Sequence, residues 1–258
     1  MIRPGPIVLI LTMTLCAACT PLRPQRGAPV SEAFALQLTQ GWQEQADQIG
    51  SVQGLAKFEL EAPMTHLQGT QVLLVEKPDR LRAEALSPFG FPTLTLTSSN
   101  GRLGVHLVPQ NLYYTGTANR QNLGEFIHVP LPPRDLVALL LYSPVLIDAW
   151  KEEAFALQEG GWIVLRYGSL LRQELIFDAA RQLAEMAFYQ DNDLQFKVEY
   201  AQFTHQAPLY PTRLHLELPE KYATINLQFS DPAVNQPIRS GVFDVAPPAG
   251  AKVVYLPH

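Results

Sequence analysis

The stretch "LAKFELEA", Leu55–Ala62, sets Ala56, Phe58 and Leu60 against Lys57, Glu59 and Glu61. Successive side chains of a strand point to opposite faces, so this segment has one apolar and one charged face, as a half-buried strand requires. The period of two returns in "TLTLT" (Thr93–Thr97), "FKVEY" (Phe196–Tyr200), "RLHLEL" (Arg213–Leu218) and "TINLQF" (Thr224–Phe229). Turn signals separate these runs: "KPDR" from Lys77, "SSNGR" from Ser98, "EGG" from Glu159, "QDND" from Gln190 and "PEKY" from Pro219. The pattern predicts roughly ten or eleven strands. One strongly curved antiparallel sheet is the economical way to bury all their apolar faces.

Outside this repeat, "SEAFALQLTQGWQEQADQI" predicts a helix, with Ser31 as N-cap and Phe34, Leu36, Leu38, Trp42 and Ile49 as its apolar members. The alternation is interrupted once, between Asn119 and Trp150. There Leu136, Leu139 and Leu140 fall at helical spacing after Pro132 and Pro133, which suit a first turn, and Pro144 is expected to end or kink the helix. An apolar helix inserted in a meander must bury its face, and the concave side of the sheet is the surface open to it. A permanent core helix and a movable lid both satisfy that requirement. The tail "VFDVAPPAGAKVVYLPH" keeps apolar residues to its end and reads as an edge strand.

The chain has 258 residues, 47% of them hydrophobic, which excludes wholesale disorder. Its formal charge is −5, and no basic run interleaves with aromatics, so nothing points to nucleic acid. Both cysteines, Cys16 and Cys19, lie in "MIRPGPIVLILTMTLCAAC", where a basic Arg3, a short apolar run and small residues make an export signal. The run is too short to span a bilayer comfortably. Ala17 and Ala18 before Cys19 resemble the bacterial lipobox, which implies cleavage after residue 18 and a lipid-modified Cys19 as the first mature residue. Ordinary signal cleavage after Ala18 is the competing reading. Thr20, rather than aspartate, following Cys19 implies by the same resemblance an outer-membrane destination facing the periplasm. Residues 19–30 are rich in proline and read as an extended tether, leaving a single domain over 31–258.

No catalytic constellation stands out. The histidines His66, His106, His128, His205 and His215 are not at metal-ligand spacing, and no nucleophile elbow, Walker loop or dinucleotide fingerprint occurs. Glu152 and Glu153 are neighbours, whose side chains diverge on any regular element, so they read as a solvated face. Neither a cofactor nor a metal is expected, and binding is favoured over catalysis.

The stretch "SPFGFPTLTL", Ser87–Leu96, places Phe89 and Phe91 between Pro88 and Pro92 at a turn. Either both rings fold back as a plug for the core, or they form an apolar finger for a membrane or lipid. With "PLPPRDLVALLLYSP" and "LQFKVEYAQF", this "LSPFGFPTLTL" resembles the LolB family of outer-membrane lipoprotein receptors and their periplasmic carrier relative LolA, over about Leu55 to Ser230. The resemblance implies an unclosed β-barrel with a helical lid, carrying Leu136, Leu139 and Leu140, over an apolar cavity for the acyl chains of lipoproteins. It also implies that Phe89 matches an exposed tip residue used in delivery, with Phe91 packed under the turn. The expected partners are acylated lipoprotein or lipid cargo, a LolA-like carrier, and the membrane through the lipid on Cys19. The alternative is a scaffolding envelope lipoprotein with a filled barrel and a protein partner.

Overall fold

A computed structural model describes residues 24–257; Cys16, Cys19 and the segment expected to be cleaved lie outside the described residues. The chain enters as a short strand, β1 (Arg26–Pro29), followed by α1 (Glu32–Asp47). A first meander runs through β2 (Ser51–Ala62), β3 (Thr65–Glu76), β4 (Arg80–Leu86), β5 (Pro92–Ser99), β6 (Arg102–Leu107) and β7 (Leu112–Thr117). Two helices, α2 (Arg120–Ile127) and α3 (Pro133–Leu140), then cross to a second meander. It comprises β8 (Lys151–Leu157), β9 (Trp162–Tyr167), β10 (Leu171–Phe177), β11 (Leu183–Gln190), β12 (Asp193–Phe203), β13 (Pro211–Leu218) and β14 (Ala223–Phe229). β14 returns to pair with β2, joining the two meanders into one sheet, with Leu227 opposite Phe58 and Ile225 opposite Leu60. Two more short strands, β15 (Ala233–Val234) on β2 and β16 (Lys252–Tyr255) on β7, complete sixteen strands.

The sheet does not close, because β1 on β8 forms one end of the strand order and β16 on β7 the other. Every pairing is antiparallel except the parallel one of β16 on β7. The strands that the sequence pattern did not predict include the short pieces β1 and β15, too brief to show a period. Arg26–Pro29 also corrects the extent of the tether. Arg26 pairs with Leu157, Pro29 with Phe155, and Val30 N–H donates to Ala154 O at 2.9 Å, so the second half of the expected linker is a sheet edge, where proline is tolerated.

α1 begins as the sequence suggests, with Ser31 Oγ accepting from Phe34 N–H at 3.3 Å. Its buried face is Ala35, Leu38, Thr39, Trp42 and Ala46, a regular helical stripe, whereas Leu36 is exposed on the far side. The stripe packs inside the β8–β9 half of the sheet: the Phe34 and Trp162 rings meet edge-on at 5.3 Å, and Trp42 Nε1–H donates to Tyr142 O at 3.2 Å. The mid-chain insertion is two helices rather than one. Asn119 caps α2, its Oδ1 accepting from Asn122 N–H at 2.8 Å, and Pro133 opens α3. Pro144 does not end α3. The helix stops at Leu140 because Tyr142, at φ 59°, turns its side chain into the core, where its hydroxyl donates to Leu183 O at 3.1 Å.

After Ser230 the chain straps the outside of the first meander. Asn235 Oδ1 accepts from Gly50 N–H at 2.8 Å while its Nδ2 donates to Gln48 O at 2.6 Å, tying the α1–β2 connection. Arg82 Nη1 donates to Val242 O at 3.2 Å, and Phe243 is buried nearby. The strap ends in β16, an edge strand as expected, beginning after Pro247 and Pro248 rather than at them.

Candidate ligand cavity and its rim

The concave face is filled unevenly. Under the second meander α1 and the rings of Tyr142, Tyr200 and Tyr210 make a solid core. Under β2–β5, β13 and β14 the inward side chains are mostly apolar and several are small: β4 contributes Ala83 and Ala85, and β3 contributes Gly69, over which the paired Phe58 ring lies with Cε1 at 3.1 Å from where a Cβ would stand. The space left is a cavity of about 420 Å³, within the usual size of a small-molecule site. Its walls include Leu60, Leu94, Leu214 and Ile225. Phe126, Ile127 and Val129 at the end of α2, with Leu136 and Leu140 of α3, cover it. His128 is the one titratable side chain in the lining, so the site offers a mostly apolar surface with little charge, broken by Gln68, Gln71 and Thr93.

The three leucines singled out on α3 divide. Leu136 and Leu140 face the cavity, whereas Leu139 is buried in the surrounding core and does not line it. The C-terminal end of α3 is fixed by side chains: Tyr200 Oη donates to Leu139 O at 3.0 Å and Tyr210 Oη to Leu140 O at 2.8 Å. Burial pushes the phenols of Tyr142, Tyr200 and Tyr210 well above their ordinary value of 10, which keeps each a donor. α2 is held differently. Asn122 Nδ2 donates to Thr117 O at 2.9 Å and to Pro257 O at 3.0 Å, linking the cover to the chain's C-terminal end.

At the rim, β4 and β5 are joined by Ser87–Phe91. Ser87 N–H donates to Phe91 O at 2.8 Å, Gly90 N–H to Ser87 O at 2.9 Å, and Phe91 N–H to Ser87 Oγ at 3.2 Å, with Gly90 at φ 82°. This knot leaves Phe89 87% and Phe91 70% exposed. The plug reading therefore fails for both rings, and Phe91 is not packed under the turn: with the loop bonded to itself, neither ring has an inward path. Leu86 and Thr93, on either side of the tip, line the cavity, so the tip stands at its mouth. Exposed Met64 in the β2–β3 turn and Tyr222 in the β13–β14 turn were not singled out from sequence, since a lone apolar residue in a turn carries no pattern. Ala83 and Ala85 had a signal in "RAEAL", where small residues alternate on one face.

Elsewhere the two neighbouring glutamates singled out from sequence are in ion pairs. Glu152 meets Arg166 at 2.5 Å, and Glu153 meets Lys151 at 2.8 Å, whose hydrogen bond lowers the Glu153 carboxyl from its ordinary value. Glu59, Glu61 and His66 place ligand-type atoms within 4.8 Å of one another on the outer face of β2 and β3, where His66 and Glu61 are directly paired and exposed. Neither group touches the cavity.

The molecule is a LolA/LolB-like open barrel, a mainly β sheet wrapped round a helical cover. No protein-family profile and no curated protein sequence matches the chain. Solved structures do: a domain assigned to outer-membrane lipoprotein sorting, from Vibrio parahaemolyticus, superposes at TM-score 0.56 with 11% identity, over 81% of this chain and 95% of that one. A DUF1329 family protein from Desulfovibrio piger superposes at TM-score 0.53 with 13% identity, over 84% of this chain and 98% of that one. At such identities the likeness is one of fold.

Proposed function

We propose that this protein is a lipid-anchored outer-membrane lipoprotein, facing the periplasm, that binds acyl chains of lipoproteins or other lipids and assists their insertion into the membrane, without catalysis. The observation that carries the reading is the 420 Å³ aliphatic cavity opening beside two exposed phenylalanines. Each buried methylene contributes about 0.8 kcal/mol, so one chain of ordinary length is stabilised by roughly 10 kcal/mol before ordering costs. A carrier of the LolA kind would hand over the cargo, and Cys19 would hold the receptor at the membrane. An unfilled cavity favours this reading over a scaffolding lipoprotein with a filled barrel.

The test uses purified protein lacking the export segment. A fluorescent fatty acid should bind at micromolar concentration and be displaced by an acylated lipoprotein, which should then pass into phospholipid liposomes. No uptake of the fatty acid would sink the proposal. Mass spectrometry of the native N-terminus should find an acylated Cys19; an unmodified terminus would remove the anchor.

A further inference from the structure

Polar side chains interrupt the apolar wall at Gln68, Gln71, Thr93 and His128, and of these Gln71 and Thr93 lie on the strands either side of β4, next to the Phe89 tip. Gln71 of β3 pairs with buried Ala56 on β2 and with Ala85 on β4, and directly paired residues of antiparallel strands share a face, so Gln71 points to the concave side, where it lines the cavity. Its carboxamide makes no hydrogen bond to any described residue. Gln71 is half-buried, and its carboxamide turns two donors and two acceptor sites toward the cavity and its opening. Beside it, β5 carries a bulge: Ala85 pairs with Leu94 and Leu86 with Pro92, leaving Thr93 as the extra residue. Thr93 also lines the cavity, and its hydroxyl donates to Ala85 O at 3.1 Å, which leaves its oxygen free to accept. Gln71 and Thr93 thus flank Ala85, one residue from the end of β4 and the start of the Phe89 tip. In the other direction along the strands lie Leu73, Leu81 and Leu96, all buried and all aliphatic.

Gln71 and Thr93 therefore stand nearer the tip than the wholly aliphatic group of Leu73, Leu81 and Leu96. A volume of 420 Å³ corresponds to about 14 water-sized units at roughly 30 Å³ each, and a methylene is close to water in size, so the space fits one acyl chain. We infer that the site takes a single acyl chain tail-first and that Gln71, assisted by Thr93, is the specificity residue that hydrogen-bonds the acyl carbonyl at the rim. This rests on the acyl-binding function proposed above and adds the orientation and the linkage. Esters of lipids and amides of acylated proteins present the same carbonyl to Gln71.

The experiment compares ligands that differ at that group. Lysophosphatidylcholine carries an ester carbonyl, hexadecylphosphocholine has a similar head and chain but no carbonyl, and N-palmitoylglycine carries an amide. Wild-type protein should bind the ester about 3- to 10-fold more tightly than the carbonyl-free analogue, the range expected from one neutral hydrogen bond. Gln71→Met and Gln71→Leu should erase that preference while binding hexadecylphosphocholine at least as well as wild type, which also verifies that they fold. Binding of the amide ligand, and its loss of affinity in the Gln71 variants, tests whether Gln71 recognises an amide carbonyl as well as an ester. Equal wild-type affinity for ester and carbonyl-free ligand overturns the inference but leaves acyl binding standing, as does a preference that survives in the variants. Wild-type protein that binds none of the three overturns both.

Discussion

Phe89 and Phe91 are held outward by a loop bonded to itself, so their exposure is built into the turn. Surface changes usually fall within about 0.5 kcal/mol, and Phe89→Glu should leave the denaturation midpoint nearly unchanged and the fatty acid still bound. A charge at the point meant to enter the bilayer interface is costly there, so transfer into liposomes should fall sharply, and Phe91→Glu should do the same. Normal transfer by both variants, or a stability loss of several kcal/mol, would refute the finger. Sequence showed that two aromatic rings sit in a Pro-flanked turn. It did not show which way they face, because that depends on the Ser87 bonds closing the loop.

Among the elements, α3 decides how the cavity is covered. Leu140 faces the cavity and Leu139 the core, so the two leucines should respond differently. Leu140→Asp is expected to weaken fatty-acid retention with moderate loss of stability. Leu139→Asp buries an unpaired charge and should cost roughly 4 kcal/mol or more. Equal effects on folding and binding at both positions would make the whole helix permanent core. The buried tyrosines at and around its end give a pH signature. An unfolded phenol loses its proton near pH 10, while Tyr142, Tyr200 and Tyr210 keep theirs to higher pH in the fold. The native state then binds more protons than the unfolded one, so stability is fully present below pH 10 and should fall as pH rises beyond it. Denaturation at pH 9 and pH 11 checks this, and Tyr200→Phe should flatten the decline. The leucines' helical spacing was legible in the sequence, but the tyrosines could not be assigned to α3 because about 60 and 70 residues separate them from the carbonyls they reach.

For the whole molecule the open sheet makes its edges a liability, since an unpaired edge invites pairing with another chain. The C-terminal strap covers one of them with β16 and delivers Pro257 O to Asn122 on α2. Truncation after Ala251 should therefore do more than trim a tail. Losing buried Leu256 alone is expected to cost about 2–5 kcal/mol, and freeing α2 should speed release of bound fatty acid. A truncated chain as stable and retentive as the full one would show that strap and cover are independent.

The sequence by itself determined the mainly β class, the N-terminal helix with its Ser31 cap, the place of the helical interruption and most of the turns. Each of these is written in neighbouring side chains: the alternation at Ala56, Phe58 and Leu60, or proline and glycine at a tight connection. Only the tertiary structure decided that β14 closes on β2, that residues 26–29 are sheet edge, and that Ala83, Ala85 and Gly69 leave a space under α3. A cavity is volume that side chains from distant strands fail to fill. Gln71 illustrates the difference, since it is an ordinary polar residue in the sequence and becomes an inward-facing carboxamide only when pairing sets Ala56 on one side of it and Ala85 on the other.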